Sequence, residues 1–173
     1  MSQTQIQSLT TFFKDNVPPR AMQSFDSVLD EMKFIPAAKD YGLGQYRQAV
    51  IRYDAVLSWE RFPYRLCPPQ LLMSLLAAWL DDADRELLDE VGLSEAEPDW
   101  DVSVEDEEVA TVVLTVPMVE ELVIRQDENG AIPWRGERWS LVEPEIWTAL
   151  TASIYSVDGV RATKRNARKG QPQ

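Results

Sequence analysis

The chain has no histidine and a single cysteine among its 173 residues, and these two absences remove much of the chemistry open to a protein of this size. Without imidazole there is no Ser-His or Cys-His nucleophile pair, no imidazole general base and no His-ligated metal. Carboxylate-only chemistry remains formally open, as glycoside hydrolysis or as oxygen-ligated Mg²⁺ catalysis. One cysteine excludes an intrachain disulfide; Cys67, before Pro68 and Pro69 among apolar neighbours, reads as a buried, inert thiol. No run approaches eighteen apolar residues, and MSQTQIQSLTTFFKDN has neither a basic leader nor an apolar one. The expectation is a soluble protein made in the cytoplasm with no membrane partner. Neither GxGxxG nor GxxxxGK[ST] occurs, so nucleotide binding has no support and no cofactor is expected.

What the chain does have is a core and an excess of negative charge. With 45% hydrophobic residues it can bury a core as one domain. The net charge is −12, from 17 basic and 29 acidic residues. Five of the basic ones, Arg161, Lys164, Arg165, Arg168 and Lys169, lie in the last 13 residues, where there is no acid. Setting them aside leaves 12 basic against 29 acidic residues, a net −17 for residues 1–160. Such a body repels nucleic acid over most of its surface; it suits a nucleic-acid mimic, or a path along which DNA slides without sticking.

Periodicity sets out the elements. Thr4 to Lys14 reads as a short helix, with Ile6, Leu9, Phe12 and Phe13 at helical spacing. A second helix is expected from about Arg20 to Lys33, on Met22, Phe25, Val28, Leu29 and Met32, with Pro36 as its stop. Ile35 to Gly44 then reads as a connector that turns at Gly42 and Gly44. From Tyr46 to Trp59 every odd position from Ala49 onward is apolar, the period of a half-buried strand. PPQLLMSLLAAWL carries the i, i+3, i+4, i+7, i+8 stripe of a core helix, with proline in its first turn. A short helix from Arg85 to Val91 is expected to end at Gly92.

A strand is expected at Trp100, Val102 and Val104, then a turn near Glu107 and Glu108. A central strand follows over Val109 to Val116, which Pro117 is expected to bend or bulge before Glu120 to Arg125. Asp127 to Gly130 reads as a hairpin turn in which Asn129 and Gly130 supply positive φ. Trp134 and Trp139 flank a second small turn at Arg135 and Gly136. Ile146 to Val157 alternates as a final strand, with a helix as the alternative, and the residues after Gly159 read as a disordered arm. The fold class is α+β, an antiparallel sheet of four to six strands with helices packed on one face. Residues 1–160 form one domain, a helical part (1–45) and the sheet with its main helix (46–160); residues 161–173 are the basic arm.

Fourteen carboxylates and one basic residue, Arg85, lie between Asp81 and Glu108. Asp82, Asp84 and Glu86 have calcium-loop spacing, but Leu87 stands where that loop needs glycine, which favours a solvated face. Asp99, Asp101 and Glu105 share a strand face, yet no lysine lies between Lys39 and Lys164 to complete a metal nuclease, and no metal site is expected. The candidate interface residues are therefore Asp81, Asp82, Asp84, Asp99, Asp101, Glu105, Asp106, Glu107 and Glu108. Trp134 and Trp139 join them as large aromatics on a hairpin, with core packing as their other reading. The cations Arg161, Lys164, Arg165, Arg168 and Lys169 are either a solvated terminus, a nucleic-acid contact or an arm for an acidic partner, which could be a neighbouring subunit.

The order of a long strand (RQAVIRYDAVLSWE), a helix ending AAWLDDADRE, an acidic linker, a strand pair (DWDVSVEDEEVATVVLTVPM) and an acidic-turn hairpin (VIRQDENGAIPWRGERW) resembles the phage tail-completion protein R family, the tail terminators of contractile-tailed phages. The resemblance covers about residues 46–141. It implies a non-enzymatic virion protein, assembled in the host cytoplasm, that forms a homo-oligomeric, six-fold ring on the head-proximal end of the tail tube. Such a ring ends tube polymerisation and joins the tail to the head connector. Its implied partners are the tail tube protein, the sheath and the connector, with genomic DNA only passing through the lumen. The second reading is an acidic DNA-mimic inhibitor of a nucleic-acid-binding protein; a metal-dependent enzyme ranks last.

Overall fold

The computed structural model describes residues 4–142 apart from 84, 94 and 95. Helix α1 (Gln5–Asn16) starts where Thr4 and Gln7 cap each other: the Thr4 hydroxyl accepts from the Gln7 N–H at 3.3 Å and the Gln7 side chain accepts from the Thr4 N–H at 2.9 Å. The second expected helix is absent. Pro19–Met22 makes one 3₁₀ turn, and strand β1 (Phe25–Gly42) takes the residues assigned to a helix and a connector. β1 pairs along its length with β2 (Gln45–Phe62), but its register slips between Asp30 and Lys33, between Pro36 and Lys39, and between Asp40 and Gly42. Each slip adds a residue to β1, and Glu31 in the first has φ 51°. Such bulges destroy the period of two by which a strand is read from sequence. Pro36, expected to stop a helix, pairs with Ala49 on an edge strand, where a missing N–H is tolerated.

β2 shows the alternation expected of it. Tyr53, Ala55, Leu57 and Trp59 are buried on one face, and the loop after Phe62 returns the chain into helix α2 (Pro69–Asp82). α1 and α2 cover that face: Leu9, Phe13, Leu72, Leu76 and Trp79 pack with those β2 residues and with Val112, Leu114, Val116 and Met118. Trp59 is fully enclosed, its ring 5.1 Å from that of Phe13 and 5.0 Å from that of Phe25. The short helix α3 (Glu86–Glu90) ends before Gly92, whose φ is 79°. Its Leu88 packs with Val50 and Val119. Val119 adjoins Met118 in one strand, so these two point to opposite faces. The helices are thus divided, α1 and α2 on one face of the sheet and α3 on the other.

With β3 (Asp99–Val104), β4 (Ala110–Gln126), β5 (Ile132–Trp134) and β6 (Glu137–Val142) the sheet has six strands, antiparallel throughout, in the order β1-β2-β4-β6-β5, and β3 also pairs with β4. β4 is central, as its composition predicts, but Pro117 puts no bulge in it. Pairing with β2 runs unbroken from Val112 opposite Trp59, through Pro117 opposite Asp54, to Leu122 opposite Ala49. On the other edge of β4, β3 stops at Thr115 and β6 starts at Val123. Among the described residues no strand there needs the N–H that Pro117 lacks. The bulges of this pair lie in β2, at Arg47/Ala49 and Trp59/Phe62.

The turn at Asp127–Gly130 is present, held by the Gly130 N–H on the Asp127 carbonyl at 2.8 Å. Neither Asn129 nor Gly130 has positive φ. Gly130 is required by close approach instead, since a Cβ there would lie 2.1 Å from the Trp139 carbonyl oxygen. Positive φ is used at Arg135 (50°) and Gly136 (77°), between β5 and β6, and at Leu43 (53°) and Gly44 (78°), between β1 and β2. No helix among the described residues is long and apolar enough to cross a membrane. The expected strand or helix over Ile146–Val157 and the basic arm lie outside the described residues.

Candidate functional site

Every candidate carboxylate within the described residues is exposed: Asp81, Asp82, Asp99, Asp101, Glu105, Asp106, Glu107 and Glu108. Asp84 lies outside them, as do Arg161, Lys164, Arg165, Arg168 and Lys169. The exposed carboxylates fall into three places. Asp81 and Asp82 end α2, whose last turn has no basic residue. Negative charge at a helix C-terminus opposes the helix dipole at a cost of about 0.3–1 kcal/mol, so folding does not select it.

Glu105–Glu108 forms the turn between β3 and β4. The Asp106 carboxylate accepts from the N–H groups of Glu108 at 2.7 Å and Val109 at 2.9 Å, and these bonds hold its pKa below the usual carboxylate range. Thr111 donates to Glu105, the Tyr64 hydroxyl donates to the Asp106 carbonyl at 2.8 Å, and Arg65 Nε donates to the Glu107 carbonyl. These groups shape a loop.

The third place needs the register to be visible. Asp99 pairs with Thr115 and Asp101 with Val113; those two pair with Val56 and Ser58, which in turn face Val28 and Asp26 on β1. The next row runs Asp30–Asp54–Pro117. Three successive rows, read across up to four strands on the face away from α1 and α2, thus carry Asp26, Asp30, Asp54, Asp99 and Asp101 with no basic side chain among them. Asp30 and Asp54 are directly opposite, an arrangement that destabilises a sheet. No described element packs on these rows, and Val28 between them is 50% exposed. Asp26, Asp30 and Asp54 escaped the sequence reading because two of them fell in a supposed helix. Register alone could have shown them.

Around the surface, two polar clusters, each built on one buried side chain (Arg47 or Tyr53), fix the secondary elements. The Arg47 side chain, 3% exposed, reaches the Ala37 carbonyl with Nε at 2.9 Å, Glu121 at 2.9 Å and Glu90 of α3. Tyr41 donates to Glu121. Arg47 holds the Glu90 carboxyl below its usual range, while burial and then Glu121 push Tyr41 up to about 12. The cluster pins α3, and with it the acidic connector, to the sheet. In the second, Glu120 accepts from the Tyr53 hydroxyl and from the Gln5 N–H at 3.0 Å, and Tyr53 accepts from the Ile6 N–H at 3.2 Å. These bonds anchor the N-terminus of α1, and burial pushes Tyr53 upward. The sequence pattern marked none of these pairs.

Trp139 is buried, its Nε1 donating to the Trp134 carbonyl at 3.0 Å. The Trp134 ring lies 5.2 Å from that of Trp139 and 4.8 Å from that of Tyr46, under the Arg135 guanidinium at 4.1 Å. In the single chain these aromatics hold the β5–β6 hairpin against β2. Cys67 is buried and its pKa is raised by that burial, an unreactive setting. Among the described residues no group of three or more His, Cys, Asp or Glu side chains is arranged to hold a metal ion. What the geometry offers is charged and apolar surface on a well-anchored sheet.

Comparison with known proteins agrees with that character. Over residues 3–144 the chain matches the family described as P2 phage tail completion protein R (GpR). It is 25% identical over 145 residues to an uncharacterized 19.2 kDa protein in the rep-hol intergenic region of Haemophilus phage HP1 (strain HP1c1), an alignment covering 83% of this chain and 84% of that protein. No solved structure matches.

Proposed function

The chain belongs to the P2 phage tail completion protein R family, and from this premise we propose that it acts without catalysis as one subunit of a ring closing the head-proximal end of a phage tail tube. In this role it stops tube polymerisation and offers the surface that the head connector meets. The observation that carries the reading is the outer edge of β1. This strand of 18 residues ends the sheet and has β2 as its one described neighbour. Val28, Leu29, Met32 and Phe34 are 43–62% exposed along it. A long edge with exposed apolar side chains invites another chain, and a ring abolishes the edge by closing it.

The hairpin tip supports the same reading. Leu43 is fully exposed with φ 53°, a left-handed conformation that costs an apolar residue about 1–2 kcal/mol. Burial against a partner offsets that cost, whereas water does not. In the ring, the rows of Asp26, Asp30, Asp54, Asp99 and Asp101 face the lumen, where like charge keeps passing DNA from adhering. The test is to add the purified chain to tail tubes assembled without it. Tubes of fixed length with a capped end, seen by electron microscopy, are expected; unchanged, uncapped tubes contradict the reading. The same acidic rows favour one alternative, a DNA mimic, which predicts salt-sensitive binding to a basic nucleic-acid-binding protein.

A further inference from the structure

Three guanidinium groups gather on this acidic molecule at the end of the sheet farthest from the β1–β2 turn. Arg20, Arg61 and Arg65 line a hollow of about 510 Å³ whose wall also includes Pro63 and Leu66, with Glu108 at the β4 side. Among the described residues none of the three makes a side-chain ion pair within 4 Å; both such pairs belong to Arg47. Arg65 is committed through Nε to the Glu107 carbonyl and lies 5.9 Å from the Tyr64 ring, which orients it and leaves its terminal nitrogens.

The backbone is distorted at this place. Arg61 has φ 55° and falls in the bulge between Trp59 and Phe62, where β2 gains a residue over β4. A long side chain in the left-handed region is strained, and bulges re-aim side chains next to functional sites. Glycine would hold the bulge at no such cost. An arginine there contributes charge to the hollow rather than stability to the strand.

We infer that the Arg20–Arg61–Arg65 hollow is a docking site for a protein segment that carries a carboxylate beside an apolar side chain. Guanidiniums with no ion pair within 4 Å recognise carboxylates in forked geometry, Arg61 being near enough to Asp106 to help lower its pKa, and the Pro63 and Leu66 wall, with Leu66 63% exposed, accepts the neighbouring apolar group. A nucleic-acid phosphate has no use for an apolar wall, and the net charge of −12 keeps a duplex at a distance.

Fluorescence anisotropy on the full chain tests this, using as probe a labelled peptide of sequence Asp-Leu-Glu-Leu-Asp, its amide counterpart Asn-Leu-Gln-Leu-Asn, and a short DNA duplex. The acidic peptide is expected to bind, more weakly as salt rises, and to lose at least about tenfold in affinity in Arg61→Ala and Arg65→Ala. Arg61→Gly separates docking from folding: its unfolding midpoint is expected to equal or exceed that of the native chain while peptide affinity falls. The inference is overturned if the acidic peptide does not bind, if the amide peptide binds equally, or if the arginine variants bind as the native chain does. It is also overturned if the duplex binds more tightly and is lost in the same variants, which would make the hollow a phosphate site.

Discussion

β1 and β2 have the same length, 18 residues, and pair with each other from end to end, yet their side chains meet opposite fates. β2 buries Ala49, Val50, Tyr53, Ala55, Leu57, Trp59 and Phe62, whereas no residue of β1 is fully buried. Position explains the difference. β2 lies between two strands and beneath α1 and α2, while β1 lies at the margin, its outer edge unpaired among the described residues. The sheet therefore has a half that makes the fold and a half in which Phe25, Ile35 and Ala37 pack on the core while Val28, Leu29, Met32 and Phe34 are left exposed. Function is to be sought in the second half.

The sharpest break of the comparison is a pair of truncations. Trp59→Ala in β2 is expected to cost about 3–5 kcal/mol in urea unfolding, because its ring fills the space between Phe13 and Phe25. Next in size is Arg47→Ala, which removes the buried guanidinium, leaves the Ala37 carbonyl without its donor and frees α3; a loss of about 1–3 kcal/mol is expected by the same measurement.

The Arg47 cluster also gives a pH dependence of opposite sign at its two ends. Glu90 is depressed by Arg47, so its contribution is present above the ordinary glutamate range and disappears as pH falls through the lowered value. Tyr41 is raised to about 12 by burial and Glu121. Its contribution is complete below the ordinary tyrosine value of about 10 and is lost as pH rises through about 12. In unfolding midpoints followed against pH, Glu90→Gln is expected to flatten the acid limb and Tyr41→Phe the alkaline one.

Leu43→Asn is expected to gain about 1 kcal/mol in the free chain, since asparagine tolerates the left-handed turn, while weakening assembly. The smallest effect completes the contrast: Phe34→Ala in β1 is expected to stay within about 0.5 kcal/mol of the native chain.

Legibility in the sequence follows the same division. α1, β2, α2, α3 and the central place of β4 were readable because each has a face pressed on a core, and selection for that contact writes the period into the residues; β3 was readable from its alternation, although only Trp100 packs on the core. β1 was not readable. With neither face fully covered, Met22, Phe25, Val28, Leu29 and Met32 came to imitate a helix, and the bulge at Glu31 removed the remaining alternation. Pro36 and Pro117 were read as breaks because the sequence does not show which strand edge lacks a neighbour. The exposure of the acidic connector was legible in its composition. The rows joining Asp26, Asp30 and Asp54 to Asp99 and Asp101 depend on register, and the hollow joins Arg20 of the 3₁₀ turn to Arg61 at the end of β2 and Arg65 in the loop after it.

The central claim is that β1 is an assembly surface whose exposed apolar side chains, Val28, Leu29, Met32 and Phe34, serve contact and not folding. Its most direct test is the double substitution Met32→Lys and Phe34→Lys, carried through two readouts: urea unfolding of the free chain and capping of tail tubes by electron microscopy. The account predicts an unfolding midpoint equal to that of the native chain together with loss of capping. Normal capping by the variant, or unfolding of the free chain, would contradict it.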